Sequence, residues 1–332
     1  SSMLSRPLRA ALAERLERKE QALLFLNRRG HSHHTQCRGC GFVPECPSCD
    51  ITLTLHVSPR EWRCHYCGHR EIATPACPRC GATLLRFSGA GTQRVERELA
   101  AQLPQARVLR LDTDVARDRA RPEQVLLAFA RGEADVLLGT QMIAKGLDFP
   151  RVTLVGVLDA DVALHLPDFR AAERTFQLLV QVSGRAGRGA RPGEVYVQTC
   201  TPEHPAIQAA ALHDANLFLD PELAERREAG YPPYRRLASV LFTGRDEGDV
   251  ERVAIAVAAA LATREVAGVQ VLGPAPQALA RLREKFRWHL LLKSANTTRL
   301  REAALCALEA AAAPGLPRGV SVAADVDPGE VL

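Results

Sequence analysis

Four Cys-x-x-Cys pairs lie between positions 37 and 80 of the sequence. Each pair presents two thiolates from one tight turn, whereas a structural zinc ion takes four ligands in a tetrahedron, with sulfur atoms roughly 2.3 Å from the metal. One pair therefore needs a second, and the pairs together predict two four-cysteine zinc sites. The predicted ligands are Cys37, Cys40, Cys46, Cys49, Cys64, Cys67, Cys77 and Cys80, which leaves Cys200 and Cys306 outside both sites.

Disulfides and iron–sulfur clusters use the same residue type. The N-terminal segment "SSMLSRPLRAALAERLERKE" is charged throughout and lacks the apolar core of a signal peptide, which argues against a secreted disulfide protein. The longest apolar run, "VAIAVAAALA" (253–262), is too short for a bilayer, which takes roughly 20 residues. We therefore expect a cytoplasmic protein. Spacing alone does not separate zinc from a cluster, but Gly41, Asp50, Gly68 and Gly81 after the pairs favour ribbon-type zinc turns.

The sequence between the second and third pairs predicts which pairs share a metal. In "DITLTLHVSPREWR" (50–63), Ile51, Leu53 and Leu55 alternate with polar residues, and a turn precedes a second short strand. Such a hairpin brings the second and third pairs together and leaves the first to meet the fourth. The predicted sites are therefore nested: one takes Cys37, Cys40, Cys77 and Cys80, and the other takes Cys46, Cys49, Cys64 and Cys67.

Composition indicates an ordinary globular protein, with 46% hydrophobic and 24% charged residues. The formal charge of +5 is typical of a nucleic-acid-binding protein, but the predicted sites change it. The thiolates subtract about 8 and two zinc ions add about 4, which leaves a charge near +1. Total charge is therefore weak evidence for any partner.

Strands and helices alternate on both sides of the cysteine region. A helix is predicted at 4–18 and a strand at 22–27; after the cysteines, "GAGTQRVERELAAQLP" reads as a glycine-rich loop that opens a helix. Further strands are predicted at 107–112, 135–140, 153–159 and 194–199, with helices near 122–130 and 171–182. This alternation is typical of a mostly parallel sheet covered on both faces. We predict one α/β domain from 1–30 and 88–200, with a zinc module at 31–87 as an insertion.

A second domain is predicted after a helical linker at 201–236. From 237 to 332 the pattern is strand, helix, two strands, helix and strand, an α+β (βαββαβ) domain. Within it, "LREKFRWHLLLK" combines Lys285 and Arg287 with Trp288, a mixture that can hold single-stranded DNA by phosphate attraction and base stacking. The alternative is a strand whose Trp288 enters the core while Arg287 faces water.

Two stretches of the α/β domain could do chemistry. "GTQMIAKGLDFP" (139–150) follows a strand, and the carboxyl ends of parallel strands are where such sheets bind ligands. "QVSGRAGRG" (181–189) holds Arg185 and Arg188 among glycines, and two planar guanidinium groups suit a γ-phosphate. Arginine pairs also occur as surface salt-bridge elements.

In this order the two stretches resemble motifs V and VI of superfamily 2 helicases. The cysteine insertion after "LLFLNRRG", together with "LDADVALHLPDFRAAERTFQLLVQVSGRAGR" and "AGYPPYRRLASV", narrows the resemblance to the PriA family of replication restart helicases, over nearly the whole chain. The resemblance implies a second RecA-like lobe, with ATP and Mg²⁺ bound at a cleft between two lobes. It also implies partners: forked and single-stranded DNA, single-stranded DNA-binding protein and primosome loading proteins, at the nucleoid.

The same resemblance assigns roles to individual residues. Arg185 and Arg188 would be arginine fingers, and Gln181 would lie beside the nucleotide or couple it to DNA. Asp148 and Gly146 would lie near the nucleotide. Contacts to the DNA backbone would come from Thr140, Lys145 and the loop from Gly89 to Thr92, because amide groups at a helix start attract phosphate.

One departure bears directly on activity. No G-x-x-x-x-G-K-[ST] phosphate loop occurs, since the sequence has no Gly-Lys dipeptide, and the one Asp-Glu pair, at 246–247, lies in a loop. We therefore expect the first motor lobe to be absent and this chain alone to hydrolyse no ATP. Two hypotheses follow: part of an ATP-driven 3′ to 5′ DNA helicase, or a non-hydrolysing zinc-containing platform that binds DNA and recruits primosome proteins.

Overall fold

Two units make up the chain in the computed structural model. The sheet unit comprises Ser1–Gly30, Ser88–Leu164 and Ala172–Phe218, and the cysteine unit comprises His31–Phe87, His165–Ala171 and Leu219–Leu332. The structure describes residues 2–26, 35–37, 39–48, 51–57, 60–64, 66–74, 76–82, 85–86, 92–111, 121–140, 149–187, 189, 191–264, 266–329 and 331.

The described helices and strands alternate irregularly along the chain. In chain order they are α1 (Arg6–Glu17), β1 (Gln21–Leu26), β2 (Thr35–Gln36), β3 (Thr54–Val57), β4 (Arg60–Arg63), β5 (Arg70–Ile72), β6 (Leu85–Arg86), α2 (Thr92–Gln102), β7 (Val108–Leu111), α3 (Arg121–Arg131), β8 (Val136–Gly139), β9 (Val152–Leu158), α4 (Asp161–Leu164), α5 (Ala171–Ser183), β10 (Glu194–Val197), α6 (Pro205–Leu212), α7 (Asn216–Ala229), β11 (Arg236–Gly244), α8 (Glu247–Thr263), β12 (Val269–Leu282), β13 (Lys285–Ser294), α9 (Thr297–Ala311) and β14 (Ser321–Val326).

A parallel sheet in the order β10-β9-β1-β8-β7 forms the centre of the sheet unit. Every residue of the central strand β1 is buried, and its side chains alternate between two cores. Leu23 and Phe25 enter the core that α3, α5 and α6 complete, while Leu24 and Leu26 enter the core that α1 and α2 complete. The prediction of a parallel sheet with helices on both faces is confirmed.

The cysteine unit contains three small antiparallel arrangements. Strands β2 and β6 pair with each other, β3, β4 and β5 form a three-stranded sheet, and the C-terminal sheet has the order β12-β13-β11-β14. One face of the C-terminal sheet packs on α8 and α9 through residues such as Val240, Leu290 and Leu300. The predicted βαββαβ order is confirmed.

The other face of the C-terminal sheet is also covered, which the sequence pattern does not predict. Leu237, Leu272 and Leu291 from this face share a core with Leu53 and Trp62 of the cysteine-rich region. The C-terminal sheet is therefore a middle layer, with two helices on one side and the β3–β4–β5 sheet on the other.

Two boundaries differ from the predicted ones. Segment His165–Ala171, which the sequence assigns to the α/β domain, belongs to the cysteine unit. The strand predicted at 269–272 continues to Leu282 as β12, with two register shifts along its pairing with β13. Because β12 is an edge strand, its prolines remove no hydrogen bond that a further strand would need. The predicted linker at 201–236 contains α6 and α7.

None of the helices within the described ranges combines the length and the apolar character that crossing a membrane would take.

Candidate metal centres and arginine turn

One backbone turn recurs at all four cysteine pairs. The amide of the first cysteine donates to the carbonyl oxygen five residues later: Cys37 to Phe42 (2.9 Å), Cys46 to Ile51 (2.8 Å), Cys64 to His69 (2.8 Å) and Cys77 to Ala82 (2.7 Å). At three of the pairs, a glycine lies four residues after the first cysteine, and its amide donates to the carbonyl oxygen of that cysteine. These glycines have φ values of 72° (Gly41), 79° (Gly68) and 72° (Gly81). Glycine adopts this left-handed conformation without strain, so each turn closes tightly around its sulfur atoms.

The first and fourth pairs form one sulfur cluster, which we call the outer site. Its members are Cys37, Cys40, Cys77 and Cys80, whose sulfur atoms all lie within 4.8 Å of one another. Sγ of Cys37 is 3.5 Å from Sγ of Cys80, and Sγ of Cys40 is 3.7 Å from Sγ of Cys77. A tetrahedral zinc bound at roughly 2.3 Å would hold its sulfur ligands roughly 3.8 Å apart, so this cluster fits zinc.

The second and third pairs form the inner site. Its described members are Cys46, Cys64 and Cys67, with Sγ of Cys46 3.6 Å from Sγ of Cys67. Cys49, the predicted fourth ligand, lies outside the described residues. The amides of Tyr66 and His69 donate to Sγ of Cys64 (3.3 Å) and of Cys67 (3.4 Å), and such donors stabilise the thiolate form that a metal needs. The inner site therefore also fits zinc.

At the outer site, local hydrogen bonds favour the ionised form of Cys37, whereas hydrogen bonds with the neighbouring thiols raise the pKa of the Cys80 thiol to about 12. Burial raises the pKa of the Cys37 thiol, but hydrogen bonds from the amides of Cys40 and Gly39 and from neighbouring thiols outweigh it and lower that pKa to about 7. A thiol of this kind loses its proton readily to a binding metal ion.

The two sites differ in their surroundings. Cys46 and Cys64 belong to the core that joins the cysteine-rich region to the C-terminal sheet, whereas Cys80 of the outer site is exposed. Between the inner-site ligands Cys64 and Cys67, the ring of Tyr66 is fully buried and meets the ring of Tyr231 edge-on, at a centroid distance of 6.5 Å. Burial raises the pKa of Tyr66 well above its usual value, and the nearby Asp168 carboxylate raises it further.

The arginine turn, which we define as residues 184–189, follows the last residue of α5. The amide of Arg185 donates to Val182 (3.0 Å), and the amide of Gly187 donates to the carbonyl oxygen of Val152, the first residue of β9 (3.0 Å). Arg185 is half-buried, Gln181 is exposed on the preceding helical turn, and Arg188 lies outside the described residues. The turn therefore sits at the amino edge of the parallel sheet.

Close backbone contacts hold the arginine turn in place. A Cβ atom at Gly187, whose φ is +71°, would lie 2.5 Å from the amide nitrogen of Gly193. One at Gly189 would lie 2.4 Å from the carbonyl oxygen of Pro150. Pro150 ends the stretch predicted to carry Gly146 and Asp148, so the two predicted stretches meet here. Gly146, Asp148 and Lys145 themselves lie outside the described residues.

Two residues predicted to contact the DNA backbone, Thr140 and Thr92, lie at the carboxyl edge of the sheet. Thr140 directly follows β8, is buried, and its amide donates to Leu111 (3.3 Å). Thr92 is the first residue of α2 and is buried, and a helix between parallel strands begins at their carboxyl edge. Of the predicted glycine-rich loop before it, residues 89–91 are outside the described residues.

The basic stretch of the C-terminal domain divides between surface and core. Lys285 is exposed at the start of β13, and Arg287 is half-buried, where burial lowers its pKa. Trp288 is only 7% exposed and packs against α8 and α9, so the expectation that its ring stacks on DNA bases is corrected. Side chains alternate along a strand, which turns residue 288 inward when residue 287 faces outward.

Sequence reasoning missed an aromatic group around the inner site. Phe169 stacks on Tyr231 with ring centroids 4.6 Å apart and planes 2° from parallel, and Tyr66 belongs to the same core. The stretches "LPDFR" and "GYPPY" carry two of these rings, and aromatic residues beside prolines in predicted loops were the available signal.

Three family models match separate parts of the chain. The helicase conserved C-terminal domain matches residues 88–190, the PriA DNA helicase Cys-rich region domain matches 46–71, and the primosomal protein N C-terminal domain matches 227–329. The chain is 49% identical to "Replication restart protein PriA" of Bacillus subtilis, over 90% of this chain and 37% of that protein. It is 45% identical to that of Synechocystis (88% and 36%) and 41% identical to that of Treponema pallidum (94% and 47%). It thus spans less than half the length of these relatives.

Proposed function

The chain belongs to the PriA family, and from that premise we propose that it is the part of a replication restart helicase that carries the second motor lobe, a two-zinc module and a DNA-binding C-terminal domain. Joined to a first lobe, it would couple ATP hydrolysis to 3′ to 5′ unwinding of forked DNA. Forked and single-stranded DNA, single-stranded DNA-binding protein and primosome loading proteins are its proposed partners, at the nucleoid.

The fixed backbone geometry of the arginine turn is the main observation that supports this proposal. Its backbone is fixed by the Gly187–Val152 hydrogen bond and by the close approaches at Gly187 and Gly189. A guanidinium group on a rigid turn suits the stabilisation of charge that develops on a transferred phosphoryl group. Arg185 and Arg188 would supply that charge, and Gln181 and Asp148 would face the same nucleotide, whose Mg²⁺ and phosphates the first lobe would hold.

The DNA part of the proposal rests on exposed positive charge and on the carboxyl edge of the sheet. Lys285 and Arg287 would contact phosphates from the β12–β13 hairpin, while Thr140, Lys145 and Thr92 would contact the backbone from the sheet unit. Contacts of this type give affinity without sequence preference and a strong dependence on salt.

The decisive experiment uses the longer protein with its first lobe, in which ATP hydrolysis is measured with and without forked DNA. Replacing Arg185 with Ala should lower the DNA-stimulated rate by roughly 10³-fold with fork binding retained, as expected for an arginine finger. Arg131→Ala removes an exposed guanidinium that pairs with Glu133, and serves as the matched control. Equal rates in the two variants would refute the role of the turn.

A non-hydrolysing platform is the second candidate function. It is favoured by the shared core of the cysteine-rich region and the C-terminal sheet, which makes a binding unit that needs no nucleotide to form. Under this hypothesis the longer protein binds forks without DNA-stimulated hydrolysis, and Arg185→Ala changes nothing.

Binding of this chain to single-stranded DNA tests what both candidates share. Replacing Lys285 and Arg287 with Ala should weaken binding and reduce the slope of log K against log salt by roughly 0.7 for each phosphate that the variant no longer neutralises. Arg252 and Arg299, exposed on α8 and α9, provide a double alanine control of equal charge. An unchanged slope would remove the hairpin from the proposed interface.

A further inference from the structure

A buried ion-pair cluster lies at the amino edge of the parallel sheet, within the sheet unit. Glu20 directly precedes β1 and is 7% exposed, and Arg15 of α1 is 3% exposed. Carboxylate and guanidinium groups are almost never buried to this extent without a partner, because an unpaired charge loses its hydration. The partners of these two side chains therefore show which parts of the unit the cluster holds together.

The Glu20 carboxylate has three partners. It accepts from Nη1 of Arg191 at 2.7 Å and from the hydroxyl of Thr153, and Nε of Arg15 lies 3.4 Å from it. Burial raises the pKa of Glu20, but the hydrogen bonds from Thr153 and Arg191, together with the charges of Arg191 and Arg15, outweigh it and lower that pKa. Glu20 therefore keeps its negative charge at neutral pH.

Arg15 extends the cluster to another strand. Its Nη2 atom lies 3.0 Å from a carboxylate oxygen of Glu194, the first residue of β10. Strands β10 and β1 are the two neighbours of β9, so Glu194 and Glu20 stand at the amino ends of the strands that flank it. The cluster therefore holds both ends of segment 191–194, through Arg191 at one end and Glu194 at the other.

Segment 191–194 packs directly against the arginine turn. A Cβ atom at Gly193 would lie 2.4 Å from the amide nitrogen of Gly187, so the two backbones are in direct contact and leave no room for a side chain. The amide of Gly187 also donates to Val152, which directly precedes Thr153 in β9. The turn therefore contacts two backbone segments, and each segment carries a side chain that donates to the buried carboxylate.

We propose that Glu20 is a positioning residue for the arginine turn. Its bond to Arg191 holds segment 191–194 against Gly187, and its bond to Thr153 fixes the start of β9, where the turn is hydrogen-bonded. What the arginine turn then does with a nucleotide rests on the proposed function. The positioning itself belongs to the sheet unit and is measured without nucleotide.

The test is hydrogen–deuterium exchange on the zinc-loaded chain, read on peptides that cover 184–195. Glu20→Gln keeps the size of the side chain but removes its charge. Arg191→Gln removes the guanidinium group from the exposed side, so it tests the same bond without leaving a buried charge unpaired. Each variant should speed exchange of these peptides roughly threefold to tenfold, the opening expected when a charge-assisted hydrogen bond is lost. Arg191→Lys keeps the charge and should exchange near the wild-type rate.

Asp135→Asn is the matched control. Asp135 directly precedes β8 as Glu20 precedes β1, and its carboxylate accepts from Nε of Arg107 at 3.0 Å. Strand β8 lies on the side of β1 away from β9, so this variant should leave peptides 184–195 unchanged. Unchanged exchange in both Glu20→Gln and Arg191→Gln overturns the proposal. Equal acceleration in β1, β8 and β9 also overturns it, because that result indicates a general loss of stability.

A double variant tests whether Arg191 acts through Glu20. If it does, Glu20→Gln combined with Arg191→Gln should exchange no faster than the faster of the two single variants. Effects that add in full would show that the two side chains act independently, which contradicts the proposal.

A second readout in the longer protein separates positioning from substrate binding. Glu20→Gln and Arg191→Gln should each lower kcat for DNA-stimulated ATP hydrolysis several-fold with KM for ATP unchanged, and Arg191→Lys should restore it. If the wild-type longer protein hydrolyses no ATP, the proposed function fails while the exchange result still decides the positioning. A rise in KM with unchanged kcat would contradict the role assigned to Glu20.

Discussion

The outer and inner metal sites are built from the same turn but support different parts of the fold. Each recruits two Cys-x-x-Cys pairs, and the amide-to-carbonyl bonds around the first cysteines differ by at most a few tenths of an ångström. The outer site, however, begins directly after β2 of the short pair β2–β6 and contains an exposed cysteine. The inner site lies in a core with Trp62, Tyr66, Tyr231 and strands of the C-terminal sheet.

We infer from this difference that ligand chemistry alone does not determine how much of a fold depends on a metal. A site at the base of a module closes the chain locally, whereas a site inside a shared core also fixes the side chains that fill that core. The residue between the ligands reflects this distinction. Position three of the third pair is the buried Tyr66, and the same position of the fourth pair is the exposed Arg79.

The largest expected effect comes from removing one ligand at each site. Cys67 and Cys40 are both partly exposed, so their serine variants form a matched pair. Each should lose one zinc, but Cys67→Ser should lower the free energy of unfolding of the cysteine unit by about 4 kcal/mol or more, since metal and core are lost together. Cys40→Ser should lower the same free energy of unfolding by about half as much.

Zinc analysis and the fluorescence of Trp62, both recorded in a Trp288→Phe background, compare the Cys67→Ser and Cys40→Ser variants. The chain has two tryptophans: Trp288 of β13 lies in the core with α8 and α9, and Trp62 of β4 lies in the core beside the inner site, so Trp62 alone reports that core. Its emission should shift to the red in Cys67→Ser and stay in place in Cys40→Ser. Similar shifts and similar losses of stability would break the distinction between the sites.

A smaller effect is expected from the residue between the ligands. Tyr66→Leu removes a ring from the shared core and should lower the free energy of unfolding by about 2 kcal/mol. This is less than the loss expected from complete truncation of a buried aromatic side chain, because leucine still fills part of the space. Arg79→Leu changes the same position of the fourth pair, where the side chain is exposed, and should cost less than about 0.5 kcal/mol.

Denaturant unfolding followed by far-UV circular dichroism gives both values, with zinc content as the check that both sites remain filled. Equal costs would mean that the core does not depend on Tyr66.

Much of this arrangement follows from local sequence. Spacing of the cysteines and the alternation of Ile51, Leu53 and Leu55 are properties of adjacent residues, so they predict the turns and the hairpin between them. The alternation of strands and helices likewise predicts the parallel sheet, because the strands β1, β8 and β9 are too apolar to face water on either side.

The layer that covers the second face of the C-terminal sheet could not be predicted in the same way. Strand β13 is buried from Trp288 to Ser294, and such a continuous run indicates burial on both faces. It does not indicate what supplies the cover, since Trp62 lies more than 200 positions away in the sequence. Segment His165–Ala171 groups with the cysteine unit rather than with the α/β domain for the same reason: its contacts with Thr52 and Tyr231 are long-range.

The smallest expected effect tests what the two sites share. Gly68 of the inner site and Gly81 of the outer site have φ values of +79° and +72°, where a side chain is strained whatever the space around it. An added Cβ at Gly81 would meet no atom within 4 Å, and one at Gly68 would lie 3.4 Å from the carbonyl oxygen of Pro274, an ordinary contact. Each of the two glycine-to-alanine variants should therefore lower the free energy of unfolding by about 1 kcal/mol, which is the cost of the backbone strain alone.

Gly315, at φ +92° with open space around it in the C-terminal loop, is the control for strain outside a metal turn. Equal costs at all three positions, measured by denaturant unfolding, would mean that the turn is equivalent at both sites and that their difference lies in the surrounding core. A cost at Gly68 well above that at Gly81 would instead place part of the difference in the turn itself.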